Sequence, residues 1–285
     1  MSGWVVAGLA GCVQGVVEWL PVSSKTMITL LFAAGGYRFE TAYVMGLLAN
    51  FGSFFAALWY FRRDIAAAVA GLRRPFGKSE GARLLRYLVL ATAATGAVGV
   101  PIYALVNGAF SSAGGAVAMG AIGVLLLLTS GVNLWRERLA KGRAGPGMGA
   151  DPAAAAGRIP GPAMALLVGA CQGFAALPGI SRSAITVTPL LLAGNPVAQA
   201  LRLSFVLDVI GLLGAGLVPL VVGSGGLQAV GTVGWGPVAL MVGISAVVSF
   251  VTIAGVLRLA SRLRSSVLTG AIGLLTLAAA VLVPR

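Results

Sequence analysis

A carboxylate, a set of hydroxyls and two cations are gathered in two short polar islands of an otherwise apolar chain. The first runs Gly11-Cys12-Val13-Gln14-Gly15-Val16-Val17-Glu18-Trp19-Leu20-Pro21-Val22-Ser23-Ser24-Lys25-Thr26. The second runs Gly169-Ala170-Cys171-Gln172-Gly173-Phe174-Ala175-Ala176-Leu177-Pro178-Gly179-Ile180-Ser181-Arg182-Ser183-Ala184, about 158 positions later. Each proline predicts a helix break, where backbone N–H groups are free. Ser23, Ser24 and Lys25 follow one break. Ser181, Arg182 and Ser183 follow the other, with Thr186 one turn further on. Two such breaks facing each other would form an anion site. Arg182 could grip phosphate oxygens bidentately and Lys25 would add a point charge. Glu18 lies four residues after Gln14, on the same helix face, and is a general base, a divalent-metal ligand or a counter-ion for Arg182. The bland reading is that Glu18 and Arg182 simply pair to hold two segments together. A lone pair does not call for the serines and threonine around it.

Several chemistries are excluded. The chain has no histidine, so imidazole acid–base catalysis, a phosphohistidine, histidine metal sites and a Ser-His-Asp triad are all ruled out. Neither a P-loop nor a dinucleotide fingerprint nor a Cys-x-x-Cys pair is present. Cys12 and Cys171 hold matching places in the islands and are expected to be small packing residues, not a disulfide.

The elements that carry the islands must be membrane helices. The 285 residues are 58% hydrophobic and 9% charged, with a mean hydropathy of +0.98. Water-soluble chains are near a quarter charged. The apolar runs are continuous and lack period-2 alternation, which argues against strands. Residues 1–22 lack the basic start of a secretory signal and are expected to belong to the mature protein. The net charge of +13 does not indicate nucleic acid. Fifteen of the twenty basic residues lie in three short segments, 62–86, 136–158 and 258–264, as expected for loops on the cytoplasmic side.

Apolar segments fall at 3–22, 26–35, 41–61, 84–106, 116–135, 161–179, 184–194, 197–222, 237–257 and 267–284. Those at 26–35 and 184–194 are too short to span about 30 Å of hydrocarbon at 1.5 Å per residue. They read as returning limbs of re-entrant hairpins, tolerated where they are buried in protein or line a wet cavity. The expected fold is therefore an all-α integral membrane protein with six transmembrane helices and two re-entrant helical hairpins. With the basic loops inside, the uncharged connections 107–115 and 223–236 lie outside. The first hairpin then opens outward and the second inward. Each half is a hairpin plus three spans, residues 1–145 and 146–285, and the halves have opposite orientation: an inverted-topology repeat. Both termini lie outside, with 136–160 as the linker.

Three other polar residues stand inside apolar segments. Arg202 and Asp208 are six apart on one helix and do not share a face, so they are not expected to pair. Arg202 reads as snorkelling near the cytoplasmic end. Asp208 is either part of the site or the partner of another basic group. Asn50 is expected to be a helix-packing residue.

The islands resemble those of the undecaprenyl-diphosphate phosphatase family, the bacitracin-resistance membrane phosphatases. Gln14 to Ser24 is similar to the first family motif, and Pro178 to Ser183 with Thr186 to the second. Gly52-Ser53 through Tyr60-Phe61-Arg62-Arg63-Asp64-Ile65 also matches, and Leu203-Ser204-Phe205 resembles a Phe-Ser-Phe signature. The resemblance spans nearly the whole chain. It implies an inverted-repeat fold with two re-entrant pairs, a site open to the outer face of the cell membrane, removal of one phosphate from a polyprenyl diphosphate, and a divalent cation, Mg²⁺ or Ca²⁺, held by Glu18. The chain departs from the family pattern where Lys25-Thr26-Met27 replaces small residues and a histidine, where Asn50 replaces a histidine, and where Arg202 replaces a glutamate.

The expected mechanism has Glu18, Ser24 and Arg182 as the catalytic residues. Ser24 attacks phosphorus or positions water, and Glu18 accepts the proton or holds metal. Arg182 binds phosphate and stabilises developing charge. Gln14, Ser23, Lys25, Ser181, Ser183 and Thr186 complete the binding set. The rival is a carrier that moves a lipid phosphate across the bilayer without hydrolysis, since inverted repeats also build alternating-access transporters. Expected partners are the bilayer, the polyprenyl diphosphate and, as an option, a second copy in a homodimer, with no nucleic acid.

Overall fold

The computed structural model describes residues 2–20, 22–112, 115–143, 159–177, 179–221 and 225–259, together with Leu274 and Leu277. Apart from those two leucines the expected segment 267–284 lies outside these residues, as do the boundary at 145/146, most of the linker, and Pro21 and Pro178. Among the described residues the secondary structure is helical throughout. The helices are α1 (Gly3–Val17), α2 (Ser24–Ala34), α3 (Phe39–Leu48), α4 (Asn50–Tyr60), α5 (Arg62–Gly71) and α6 (Glu80–Ser112). They continue with α7 (Gly115–Arg143), α8 (Pro162–Phe174), α9 (Arg182–Leu192), α10 (Val197–Val221), α11 (Gly225–Val233) and α12 (Trp235–Leu259).

Among the described residues four stretches are long and apolar enough to cross a membrane: Phe39–Tyr60, Glu80–Val106, Ala198–Val221 and Trp235–Gly255. The first is not continuous helix, because the Asn50 amide turns back on it. Asn50 Nδ2 donates to Leu47 O at 2.9 Å and to Gly46 O at 3.4 Å. This side-chain competition with the backbone ladder divides α3 from α4 at Ala49. Two segments expected to be loops contain helices. In the basic stretch 62–86, α5 buries Ala68 and Gly71 and packs on α6, leaving Arg62 and Arg63 exposed. In the connection 223–236, expected on the outer side, α11 buries Ala229, Val230 and Val233 against α3, and Gly234 ends it at φ +99°. Small residues and a single apolar face are enough to fold both.

Two close packings position the islands. α1 lies along α12, and α8 lies along α6. Glycine allows the approach: a Cβ on Gly15 would fall 2.5 Å from Val248 Cβ, and one on Gly173 would fall 2.6 Å from Val98 Cβ. Thr252 seals the first contact, its hydroxyl donating to Gly15 O at 2.6 Å. Thr95 seals the second by donating to Gly169 O at 3.0 Å. Such small-residue interfaces are how helices associate where lipid offers no hydrophobic driving force. One expectation about packing fails. Cys12 is exposed and Cys171 half-buried, and both are free thiols. Gly11 and Gly15, not Cys12, occupy the face of α1 that meets α12.

Overpacking a tight helix contact costs about 1–3 kcal/mol. Gly15→Ala and Gly173→Ala are therefore expected to lower the thermal unfolding midpoint in detergent. Gly131→Ala, where no neighbour lies within 4 Å of the added carbon, should leave the midpoint unchanged or raised, since alanine favours helix over glycine. Equal effects at all three positions would contradict this account of the packing.

Candidate active site

The two islands meet. α1 ends at Val17, and the chain turns through Trp19 and Leu20 to re-enter helix at Ser24. α8 ends at Phe174 and re-enters helix at Arg182. Trp19 is buried edge-on against Phe205 of α10, with ring centroids 5.3 Å apart, which anchors the first turn. The second turn passes through Gly179 at φ +94°, a conformation that glycine alone adopts without strain. The Gly179 N–H donates to Thr26 Oγ1 at 2.6 Å, and Thr129 Oγ1 donates to Gly179 O at 2.8 Å. Ser183 Oγ donates to Leu20 O at 3.3 Å. Each broken tip thus satisfies backbone groups of the other.

Lys25 takes part in the same bracing. Its ammonium donates to Ala175 O, and to Leu177 O at 3.3 Å. These carbonyls lie at the C-terminal end of α8, where the helix dipole favours a cation. Lys25 starts α2, where the dipole disfavours one. The long stem carries the charge from the wrong helix end to the right one. Lys25 also borders the cavity described below, so its cross-link and its expected place beside a ligand coexist.

The acidic and basic groups form one cluster. Glu18 Oε2 accepts hydrogen bonds from Ser24 Oγ at 2.5 Å and Gln14 Nε2 at 2.7 Å. Glu18 Oε1 accepts from Arg182 Nη2. On its other side Arg182 Nε lies 2.9 Å from Asp208 Oδ1, an oblique charge contact that makes no hydrogen bond. Arg182 is therefore held between two carboxylates from different helices. Behind the cluster, Gln14 Nε2 also contacts Asn50 Oδ1 at 3.2 Å and Ser53 Oγ at 3.1 Å. Ser53 Oγ in turn lies 3.0 Å from Ser249 Oγ.

A cavity of about 270 Å³ opens onto this cluster. Its polar end is formed by Glu18, Ser23, Ser24, Lys25, Gln172, Ser181, Arg182 and Ser183. The start of α2 and the start of α9 both lie on its wall, which presents two sets of free N–H groups to whatever enters. The remaining wall, built from α3, α6 and α10, is mainly apolar and includes Leu47, Val100, Ile210 and Val218, with Tyr43, Thr92, Thr95 and Tyr103 interspersed.

The residues singled out in the sequence fall into two groups. Glu18, Ser23, Ser24, Lys25, Ser181, Arg182 and Ser183 border the cavity. Gln14 and Thr186 are fully buried behind it. Gln14 fixes the Glu18 carboxylate, and Thr186 bonds Arg182 O at 2.9 Å and Ser204 Oγ at 2.6 Å. Both therefore act on their neighbours in the cluster. Sequence reasoning left Asp208 undecided between site and pair; it pairs with Arg182 inside the site. Thr26, Ser53 and Gln172 gave no separate signal, although Thr26 and Gln172 stand within the islands. Arg202 is 44% exposed and pairs with Asp64 and Glu80, not with Asp208.

Among the described residues no three His, Cys, Asp or Glu side chains cluster to form a protein cage. Mg²⁺ does not require one, since it binds through one or two carboxylates together with substrate phosphates and water. The Arg182 guanidinium is already shared between Glu18 and Asp208, and the Lys25 amine between two carbonyls. A diphosphate entering the cavity therefore brings more negative charge than Arg182 and the surrounding N–H groups and hydroxyls are free to oppose. The donor set fits a cation shared between Glu18 and the substrate.

Apolar helices that bury a serine–carboxylate pair and a guanidinium around a half-apolar cavity define a membrane protein built to handle an anionic head group. Comparison with known proteins gives the family. The model of the family described as bacitracin resistance protein BacA matches residues 7–272, and this chain belongs to that family. It is similar to the undecaprenyl-diphosphatase of Pyrobaculum aerophilum, at 36% identity over 97% of both chains. Its identity to the undecaprenyl-diphosphatase of Haloarcula marismortui is 33%, over 91% of this chain and 90% of that one. The undecaprenyl-diphosphatase of Pyrobaculum islandicum is 34% identical over 96% of both.

Lys25→Met keeps the stem and removes the ammonium, leaving Ala175 O and Leu177 O without their donor. Each buried polar group left unpaired costs about 1–3 kcal/mol. A lowered thermal midpoint in detergent is expected, larger than that of Arg38→Met, whose exposed side chain reaches only Glu40. Equal midpoints for the two variants would remove the bracing role of Lys25.

Proposed function

We propose that this protein hydrolyses a polyprenyl diphosphate of the undecaprenyl type to the monophosphate, at a membrane site shared by its two broken hairpins. The observation that carries the reading is the chain of contacts from Ser24 Oγ to Glu18, and from Glu18 to Arg182. A hydroxyl donating to a carboxylate is an activated nucleophile, and a guanidinium beside it is a ready partner for phosphate oxygens. The apolar length of the cavity suits the isoprenoid tail, with the diphosphate at the polar end.

In this mechanism Ser24 Oγ attacks the terminal phosphorus, or orients the water that does, and Glu18 Oε2 takes the proton. The bond from that phosphorus to the bridging oxygen breaks, releasing the lipid monophosphate. If a phosphoserine forms, water hydrolyses it, and the serine proton is restored by way of Glu18. Arg182 and the N–H groups at the starts of α2 and α9 oppose charge developing on the phosphoryl oxygens. A divalent cation held by Glu18 and the phosphates would supply charge neutralisation to the leaving group. Asp208 and Gln14 keep the guanidinium and the carboxylate in place. Ser23, Ser181 and Ser183 line the head-group end as further donors, while Lys25 braces the second hairpin beside it.

The finer architecture belongs to the same proposal: six spans and two re-entrant hairpins in an inverted repeat, with halves 1–145 and 146–285. The pairing of α1 with α12 and of α8 with α6, with Gly15 and Gly173 at matching places 158 residues apart, supports it. The basic clusters support termini outside and a site facing the outer side of the cell membrane. A homodimer is the assembly to test by cross-linking in native membranes.

Purified protein is expected to release inorganic phosphate from undecaprenyl diphosphate. Glu18→Gln, Ser24→Ala and Arg182→Lys should each lose at least about a hundredfold in kcat/KM, in line with the removal of a nucleophile or of a preorganised charge-stabilising donor. Wild-type rates in all three, or head-group flipping in liposomes with no phosphate released, would overturn the hydrolytic reading. A chelator should abolish turnover and added Mg²⁺ or Ca²⁺ should restore it. Full activity under chelation would remove the cation from the scheme.

A further inference from the structure

Two glutamines, Gln14 and Gln172, hold equivalent places in the islands, but the fold uses them differently. The amide nitrogen of Gln14 is committed to Glu18, Asn50 and Ser53. Gln172 is 4% exposed and borders the cavity, and its buried Oε1 has no hydrogen-bond partner among the described residues. Its nitrogen packs over Gly211 of α10. A Cβ at Gly211 would fall on Gln172 Nε2 and would lie 3.4 Å from Arg182 Nη1. The glycine therefore leaves one small space shared by an amide nitrogen and a guanidinium nitrogen. Arg182 spends Nη2 on Glu18 and Nε on Asp208, while Nη1 has no partner among the described residues. Two N–H-bearing nitrogens that both border the space over Gly211, at the wall of a polar cavity, are complementary to an anionic oxygen.

We infer that Gln172, with Arg182 Nη1, forms a second grip on the substrate head group, donating to a non-bridging phosphate oxygen of the diphosphate, and that Gly211 is there to let the two donors converge. The inference rests on the diphosphate reading of the site. It also accounts for the duplication: one glutamine orients the carboxylate, and its counterpart binds what the carboxylate acts on. The competing arrangement reverses the amide, so that Gln172 Oε1 accepts from Arg182 Nη1 and merely positions the guanidinium. Replacement by glutamate separates the two. A carboxylate would repel phosphate in the first arrangement but would hold Arg182 at least as well in the second.

The test is binding of inorganic pyrophosphate to detergent-solubilised full-length protein by calorimetry, alongside phosphate release from undecaprenyl diphosphate. Hydrogen bonds to charged groups correspond to about a ten- to hundredfold change in affinity. Gln172→Ala is expected to weaken pyrophosphate by about tenfold and to raise KM more than it lowers kcat. Gln172→Glu should weaken it further. Gly211→Ala, which leaves Gln172 in the chain but takes the place of its amide, should resemble Gln172→Ala and keeps the test usable if the glutamine variants misfold. Pyrophosphate bound by Gln172→Glu as tightly as by wild type, or more tightly than by Gln172→Ala, would overturn the inference. Wild-type protein that binds pyrophosphate through Gln172 but releases no phosphate would leave this grip standing and sink the hydrolase reading instead.

Discussion

Arg182 between Glu18 and Asp208 is the contact on which the rest of the molecule depends. Three ionisable groups far from water are costly to hold, and removing one would strand the others. They are tolerated because each is held by something else. Glu18 receives Ser24 and Gln14 as well as the guanidinium, and Gln14 is backed by Ser53. The Arg182 carbonyl is bonded by Thr186, itself tied to Ser204. A polar lattice of this kind fixes geometry where apolar packing alone would leave side chains free to turn. It is also what a phosphoryl-transfer site needs, since positioning and electrostatics do most of the work there.

The broken helices pose the second problem. Backbone groups at a buried break have little water to turn to, so each tip must find partners in protein. Here the two tips serve one another: the Gly179 N–H goes to Thr26, the Ala175 and Leu177 carbonyls to Lys25, and the Leu20 carbonyl to Ser183. The N–H groups at the starts of α2 and α9 border the cavity instead. The same arrangement that makes the breaks affordable aims unpaired donors at one place. Structural satisfaction and ligand binding are complementary uses of a single set of backbone groups.

Much of this was legible before any coordinates. The spacing of Glu18 from Ser24, the Ser-Arg-Ser cluster and the repeat of the islands pointed to a composite site, and the convergence of Glu18, Ser24 and Arg182 follows that pattern. What could not be read was direction. Lys25 carries a positive charge in the right neighbourhood, but only the position of the α8 carbonyls decides that its ammonium goes there. Gln14 and Gln172 are indistinguishable by motif, and Asn50, Ser53 and Gly211 separate their fates. Asp208 stood out as a charge in an apolar span, yet its partner lies on another helix, beyond the reach of spacing rules. The helices α5 and α11 escaped because charge and glycine content mark a segment as a connection regardless of whether one face is apolar. The split at Ala49 depends on the rotamer of Asn50, which composition does not encode.

The contact between α1 and α12 joins helices near opposite ends of the chain. During synthesis, the helix carrying Gln14 and Glu18 emerges early, while Ser249 and Thr252, against which it is finally seated, are translated more than two hundred residues later. Order of manufacture and order of completion are therefore reversed. The Glu18 carboxylate reaches its final surroundings only when nearly all of the polypeptide has been made.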